Sequence, residues 1–314
     1  MTPALEPSGC LLCGGPMAVT LDGVSDNRFG SPGQYRIRVC QACGLGETEP
    51  RPDGATLQAL YEQHYNYGGE SGTTYPSWRQ RLLTSALYRW WLWLDGDVSI
   101  HAEQGRGRLL DVGCNEGRGL LLYAKGGFTP EGLELNRRAA AAASALGFRV
   151  HTVDLADLRV DRPFDRVVLS NVLEHALDPR TMLANVCRVL REGGEVWISL
   201  PNRRSWLKGL FGRHWINWHV PFHITHFTGE TLGRLLVECG FAVVSVQQVT
   251  PALWVAQSTI AWAFAGRPDQ PQKLRHPLLV PALMLVARFL LFPLIWIANR
   301  SGHGDCLVVK AQRK

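Results

Sequence analysis

The stretch LLDVGCNEGRG, residues 109–119, decides how this chain is read. Leu109, Leu110 and Val112 make an apolar strand pattern that stops at Gly113, and Gly117 opens a run with helical spacing. Strand, glycine-rich turn and helix in that order put the turn at the carboxyl end of a strand. There Gly113 and Gly117, lacking side chains, let the backbone approach a ligand closely. A dinucleotide dehydrogenase uses a similar turn, but the pattern here is DxGxxxG, with Asp111, Gly113 and Gly117, rather than GxGxxG.

Outward from that turn, short apolar runs alternate with helical runs, the mark of a parallel sheet with crossover helices. Strands are expected at 108–113, 129–134, 149–152, 164–170, 194–200, 241–248 and 306–312. Helices are expected at 117–125, 136–146, 179–191 and 229–239. One strand after the turn comes GLELN (132–136), with Glu134 at a strand's carboxyl end, placed to grip two ribose hydroxyls. Asp154 and Leu155 follow a further strand end and suit an adenine amino group and ring. FDRVVLSNVLEHALDP (164–179) and LREGGEVWISLPN (190–202) complete the series.

The run from Leu109 to Asn202 resembles the class I S-adenosylmethionine-dependent methyltransferases, with four motifs in that family's order and spacing. The resemblance implies an α/β, Rossmann-like, seven-stranded sheet. It implies that Asp111, Gly113, Cys114 and Gly117 line the methionine half of S-adenosylmethionine. Glu134 would hold the ribose, Leu135 would lie beside the adenine, Asp154 and Leu155 would meet the adenine edge, and Asn171 would sit beneath the methionine amino group. The sequence departs from the family at Asn115, where glycine is usual. Asparagine tolerates left-handed backbone better than most residues, so the turn is expected to survive. A cofactor-binding scaffold without activity is the alternative.

Eight cysteines do not form a disulfide framework here. Cys10-x-x-Cys13 and Cys40-x-x-Cys43 are each followed by glycine, the knuckle spacing of a four-thiolate zinc site. A redox C-x-x-C is the alternative reading, and two such pairs favour metal. Cys114, Cys187, Cys239 and Cys306 read as small buried side chains. Residues 1–50 are accordingly expected to form a zinc-ribbon module that needs its metal to hold together. Residues 51–106 read as a linker with one helix starting near Asp53 and another over 76–94, and residues 107–250 with 301–314 as the catalytic domain.

The net charge of +6 and pI near 9.0 suit an anionic partner, and eleven tryptophans favour a membrane surface over nucleic acid. MTPALEPSGC has no basic start followed by an apolar run, which places the protein in the cytoplasm. LLVPALMLVARFLLFPLIWIA (278–298) is long enough to cross a bilayer, yet it lies between the last two expected strands, inside an insertion over 251–300. Both strands belong to one sheet, so any crossings come in even number. Pro281, Pro293 and Arg288 disfavour a span, and Arg267, Lys273 and Arg275 favour the cytoplasmic side. Two helices lying in the inner membrane face are expected; a dimerisation arm is the alternative.

HWINWHVPFHITHFT (214–228) concentrates four histidines at the expected carboxyl edge of the sheet. The resemblance places Phe222-His223-Ile224 at the methyl-acceptor pocket; His223 is the expected general base, with His219 and His175 behind it. Four histidines could instead bind a metal, but no carboxylate stands among them and the spacing is loose. Trp215 and Trp218 suit either a sugar ring or packing against the insertion. Zinc-ribbon-tipped members of the family are similar to enzymes that modify sugars and cell-surface glycans. The implied acceptor is therefore an oxygen of a sugar, glycan or lipid-linked glycan, with a lipid or quinone-like molecule as the alternative. The basic residues Arg203, Arg204, Lys208 and Arg213 could meet its phosphates.

Overall fold

The strand pattern around residue 110 folds as one seven-stranded sheet. In the computed structural model, which describes residues 9–64, 85 and 99–314, its strands are β4 (Arg108–Val112), β5 (Thr129–Leu133), β6 (Val150–His151), β7 (Phe164–Ser170), β8 (Leu190–Pro201), β10 (Phe241–Val249) and β11 (Cys306–Arg313). The order is β10-β11-β8-β7-β4-β5-β6, parallel except for β11, which runs antiparallel to both its neighbours. The expected helix over 76–94, with Trp90, Trp91 and Trp93 and Arg79, Arg81 and Arg89, lies outside the described residues.

Helices α2 (Arg118–Lys125), α3 (Arg137–Ala145), α4 (Pro179–Val189) and α6 (Gly229–Glu238) cover the sheet. Local chemistry starts three of them. The Asn136 side chain accepts from the Arg138 and Ala139 amides, Asp178 from the Arg180 amide, and Thr228 and Thr231 form a reciprocal capping box. Leu110, Val167, Leu169, Val186, Ile198 and Leu235 are fully or almost fully buried in the main core between these layers. One boundary differs from expectation. Strand β8 begins at Leu190, four residues early, because Leu190 pairs with Phe164 ahead of an irregularity in the β7–β8 ladder.

A second, antiparallel sheet has the order β1-β2-β3-β9, from β1 (Met17–Val24), β2 (Tyr35–Cys40), β3 (Gly46–Glu49) and β9 (Thr225–His226). Its last strand comes from the histidine-rich segment, so the β1–β3 sheet is hydrogen-bonded through β3 into the region after β8. Helix α1 (Gly54–His64) follows, starting where Asp53 Oδ1 accepts the Thr56 amide at 2.8 Å.

The insertion folds as α7 (Ala252–Ala263), α8 (Gln270–Lys273), α9 (Leu279–Phe289) and α10 (Phe292–Arg300), with α5 (Trp206–Phe211) beneath α7. Among the described residues no single helix is long and apolar enough to cross a membrane; α9 and α10 together are, but they bend by 67° at their junction. Val255, Ile260, Val280, Met284 and Ile295 close a second core around Trp215 and Trp218. Leu278, Leu290, Leu294, Trp296 and Ile297 face outward and are exposed.

Candidate functional site

The register of the parallel strands brings the candidate cofactor residues to one edge. Val112 stands level with Leu133 on one side and Leu169 on the other. One residue further, therefore, lie Gly113, Glu134 and Ser170, followed by Asn171. This is where the strand order reverses, between β4 and β7, and where a doubly wound sheet opens its crevice. Gly113 has φ 71°, and a Cβ there would come within 3.0 Å of Val172 Cγ2. Asn115 takes φ 49° and Asn171 φ 54°, both left-handed.

Glu134 braces the turn. Its carboxylate accepts the Asn115 amide at 3.0 Å and the Asn136 amide at 2.8 Å, while burial raises its pKa. Leu135 beside it is 62% exposed, and Asp154 lies at the rim with Oδ1 accepting the Ala156 amide. Three expected residues face inward instead. Burial lifts the Asp111 carboxyl to about 7, and it packs against Gly119. The Cys114 thiol occupies space that Gly132 leaves by lacking a side chain, and Leu155 joins the main core. Gly117, at φ 83°, gives close approach of α2 to Ala143 on α3.

Next to this edge, the residues after Asn171 turn into a short 3-10 helix, Leu173–His175, and meet the loop that carries His219 and His223. One ring nitrogen from each of His175, His219 and His223 lies within 4.8 Å of the others. His223 Nδ1 contacts the Asn217 carbonyl at 2.8 Å, and the Tyr61 hydroxyl contacts His175 Nδ1 at 2.8 Å. Burial pushes His175 down to about 3 and holds His219 and His223 well below the ordinary imidazole range, with Arg28 adding to it. Burial thus favours the neutral form of all three. His219 has φ 39°, a strained setting for a residue with a side chain.

Sequence reasoning missed several partners in this cluster. Glu174 is 1% exposed, and Oε1 stands 3.8 Å from His223 Nε2. Burial pushes its carboxyl up to about 8. A signal for it existed: it precedes His175 in NVLEH at the end of a strand. Phe29 packs on His219 and Phe222, and Tyr61 on His175 and Phe222, from segments with no motif to mark them. Thr48 donates to the His223 carbonyl at 2.6 Å and contacts His226 Nε2 at 2.9 Å. Trp215 and Trp218 are buried against the insertion, which leaves no ring face for a sugar; their indole N–H groups bond Asp305 and the Gly212 carbonyl.

The sulfurs of Cys10, Cys13, Cys40 and Cys43 lie within 4.8 Å of one another, with Cys10–Cys43 and Cys13–Cys40 at 3.5 Å. The Leu12 amide points at Cys10 Sγ and the Cys43 amide at Cys40 Sγ, both at 3.4 Å. Gly14 and Gly44, at φ 71° and 81°, make those turns possible. The knuckles are tied to the large domain: Arg180 donates to the Leu12 carbonyl and Arg203 to the Gly44 carbonyl. Arg203 is thus engaged with the module, and Arg204 pairs with Glu230.

Residues 76–246 match the family model of a methyltransferase domain. A ubiquinone biosynthesis O-methyltransferase of Paracidovorax citrulli is 29% identical over 140 residues, 41% of this chain and 57% of that protein. A Mycobacterium tuberculosis protein named "Probable S-adenosylmethionine-dependent methyltransferase" is 31% identical over 141 residues, 44% of this chain and 50% of that one. The chain spans about half the length of the curated relatives it matches. The crystal structure of the [4+2]-cyclase SpnF aligns over 84% of this chain and 97% of its own with a TM-score of 0.50 at 18% identity, a likeness of fold.

Proposed function

The chain belongs to the methyltransferase domain family, and we propose that it transfers a methyl group from S-adenosylmethionine to an oxygen of an acceptor presented at a membrane surface. The observation that carries this reading is the adjacency of two sites on one sheet edge: Val172 lies against Gly113, and the histidine cluster begins three residues beyond it, at His175. S-adenosylmethionine supplies an electrophilic methyl on a sulfonium. Glu134 and Leu135 at the rim fit a ribose and an adenine face, Asp154 fits the adenine edge, and the backbone from Asp111 through Gly113, Cys114 and Gly117, with Asn171, fits the methionine half. Leu155 supports this edge from the core. Across the edge, His223, His219 and His175 face the acceptor; His223, neutral and with its Nδ1 held by Asn217, is the proposed recipient of the acceptor's proton.

The four cysteines are proposed to hold one zinc ion. Their spacing fits: sulfurs about 2.3 Å from a tetrahedral zinc stand about 3.8 Å apart. A full set of thiolates leaves no open position, so the ion's role is structural.

The outward face of α9 and α10 supports docking on the cytoplasmic face of a membrane. Leu278 and Leu290 are 76% and 73% exposed, and Arg300 folds over the Trp296 ring at 4.6 Å. Arg267, Lys273 and Arg275 stand on the same insertion, and each basic residue near an anionic surface contributes about 1 kcal/mol. A membrane-borne acceptor follows. Within that class a quinone-like ring has the support of the relative's name, and a lipid-linked glycan that of the sequence resemblance. Nucleic acid is not a proposed partner.

Two measurements test this reading. Calorimetry with S-adenosylhomocysteine should show binding that Glu134→Ala weakens about 10- to 100-fold, since a hydrogen bond to a charged group contributes about 1.5–3 kcal/mol. No binding by the parent chain would refute the cofactor reading. Incubation with methyl-labelled donor and lipid-extract vesicles should move label into the lipid phase. Leu278→Glu with Leu290→Glu should release the protein from vesicles; unchanged sedimentation would refute the docking.

A further inference from the structure

Glu174 is an anomaly in the acceptor site. Its carboxylate is almost wholly buried, and neither oxygen has a hydrogen-bond partner among the described residues. A buried carboxyl with neither oxygen bonded is unfavourable even when protonated, and its ionised form calls for a compensating positive charge. Arg28 is the cation that acts on it. The nearest side-chain nitrogen in an ion-pair relation is His223 Nε2 at 3.8 Å, on a histidine whose other nitrogen is already engaged by the Asn217 carbonyl. An imidazole that donates Nδ1–H to a backbone carbonyl presents Nε2 as a lone pair, the arrangement that orients metal-ligating histidines. His175 Nδ1 contacts the Tyr61 hydroxyl at 2.8 Å, and in the tautomer that donates Nδ1–H to that oxygen its Nε2 is also a lone pair.

We propose that His175, His219, His223 and Glu174 form a second metal site, which binds one divalent transition-metal ion at the acceptor edge. Three imidazoles and a carboxylate are a borderline donor set that suits zinc, iron(II), cobalt(II) or nickel(II) rather than magnesium or calcium. The three ring nitrogens lie within 4.8 Å of each other, while Glu174 stands outside that group and approaches only His223 Nε2, at 3.8 Å. Ligands at about 2.0–2.1 Å from a tetrahedral ion stand about 3.3 Å apart, so loading requires the imidazoles to close up and Glu174 to swing in. Phe29 and Phe222 wall the cluster on the His219 side. Arg28 opposes the cation's charge and keeps the site weaker than the four thiolates.

The inference rests on the reading of this edge as the acceptor site only for its consequence. An ion there polarises an acceptor oxygen only by taking it as a fifth ligand, and His223 then serves as ligand instead of proton recipient. The binding itself requires neither cofactor nor acceptor, so its failure is separable from failure of the methyl-transfer reading.

The experiment is metal counting on the full chain. Protein first loaded with one equivalent of zinc and then titrated with cobalt(II) should take up a second equivalent. Its visible bands should be those of a nitrogen–oxygen site, without sulfur-to-cobalt charge transfer. Glu174→Gln, nearly isosteric, should weaken the second equivalent roughly tenfold or more, and His219→Gln with His223→Gln should abolish it while the thiolate-bound zinc stays. A parent protein that saturates at one equivalent overturns the proposal, as does a second equivalent that survives both sets of substitutions. The count on the parent needs no variant to fold.

Discussion

The cofactor half of the carboxyl edge is built from turns that follow consecutive strands, whereas the histidine half is assembled from five segments: Arg28–Phe29, Thr48, Tyr61, Glu174–His175 and Asn217–His223. The first half needs only the sheet. Its residues reach the edge because β4, β5 and β7 are in register, and Glu134 fixes the turn through two local amides. The second half needs the amino-terminal sheet, because β3 pairs with β9 and Thr48 holds the His223 carbonyl. The two halves should therefore fail separately.

The largest effect should come from removing the proposed zinc. Structural zinc contributes about 10–16 kcal/mol in small thiolate sites, as much as a domain's whole stability. Cys40→Ser should open the four-stranded sheet and with it the acceptor half. Hydrogen exchange is expected to rise over residues 9–49 and 215–228, while affinity for S-adenosylhomocysteine changes less than about threefold. Equal loss of cofactor affinity would break the comparison, since it would make the module a support of both halves. Glu134→Ala is the converse, losing cofactor while the cysteine region keeps its protection.

The same division explains what the sequence disclosed. Gly113, Glu134 and Asn171 belong to short motifs whose period and glycines report a strand ending in a turn, and they arrive together because parallel register is a local consequence of that pattern. The limits of the seven expected strands followed from apolar runs to within about a residue, with β8 the exception: nothing in LREGG marks a pairing between Leu190 and Phe164. Strands β1, β2, β3 and β9 were not among those expected. Glu174 lay in plain sight beside His175, but a glutamate in an apolar run reads as a surface residue until the fold closes over it. Tyr61 and Phe29 sit in unremarkable context, and only long-range packing places them on the histidines. The insertion's helices were legible as apolar runs. That α7 would bury its face against Trp215 and Trp218 was one of two readings open.

A smaller effect should appear at Asp305, which ties the last strand to the histidine segment. Its carboxylate accepts from Ser205, from Trp215 Nε1 at 2.9 Å and from Asn217 Nδ2 at 3.0 Å, and Asn217 in turn holds His223. Asp305→Asn removes one acceptor oxygen and should cost about 1–3 kcal/mol. Burial lifts this carboxyl from 3.8 to about 6 against the pull of those three donors. A carboxyl raised in the folded state favours folding most when protonated. Its contribution is complete below pH 3.8 and is lost as pH rises through about 6. The difference in Tm between parent and variant should accordingly narrow from pH 4 towards pH 7, and a difference that widens would show that the ionised form is the stabilising one. Calorimetry should find cofactor affinity unchanged, because the hub serves the acceptor half alone.

The smallest effect belongs to the cofactor turn, at the position where this chain carries Asn115 at φ 49°. Left-handed geometry costs an ordinary L-residue roughly 1–2 kcal/mol, and asparagine recovers part of it through local polar contacts. Here the residue's amide bonds Glu134, so what the turn requires of position 115 is a backbone conformation, with no demand on the side chain. Asn115→Gly should therefore shift stability by less than about 1 kcal/mol and leave affinity for S-adenosylhomocysteine within about twofold. Asn115→Val, which resists positive φ, should cost about 1–2 kcal/mol and weaken binding in step, since the Glu134 bond is lost with the turn. If glycine lowered cofactor affinity as much as valine does, the asparagine side chain would itself be a ligand contact. The cofactor half would then depend on more than strand register and a braced turn.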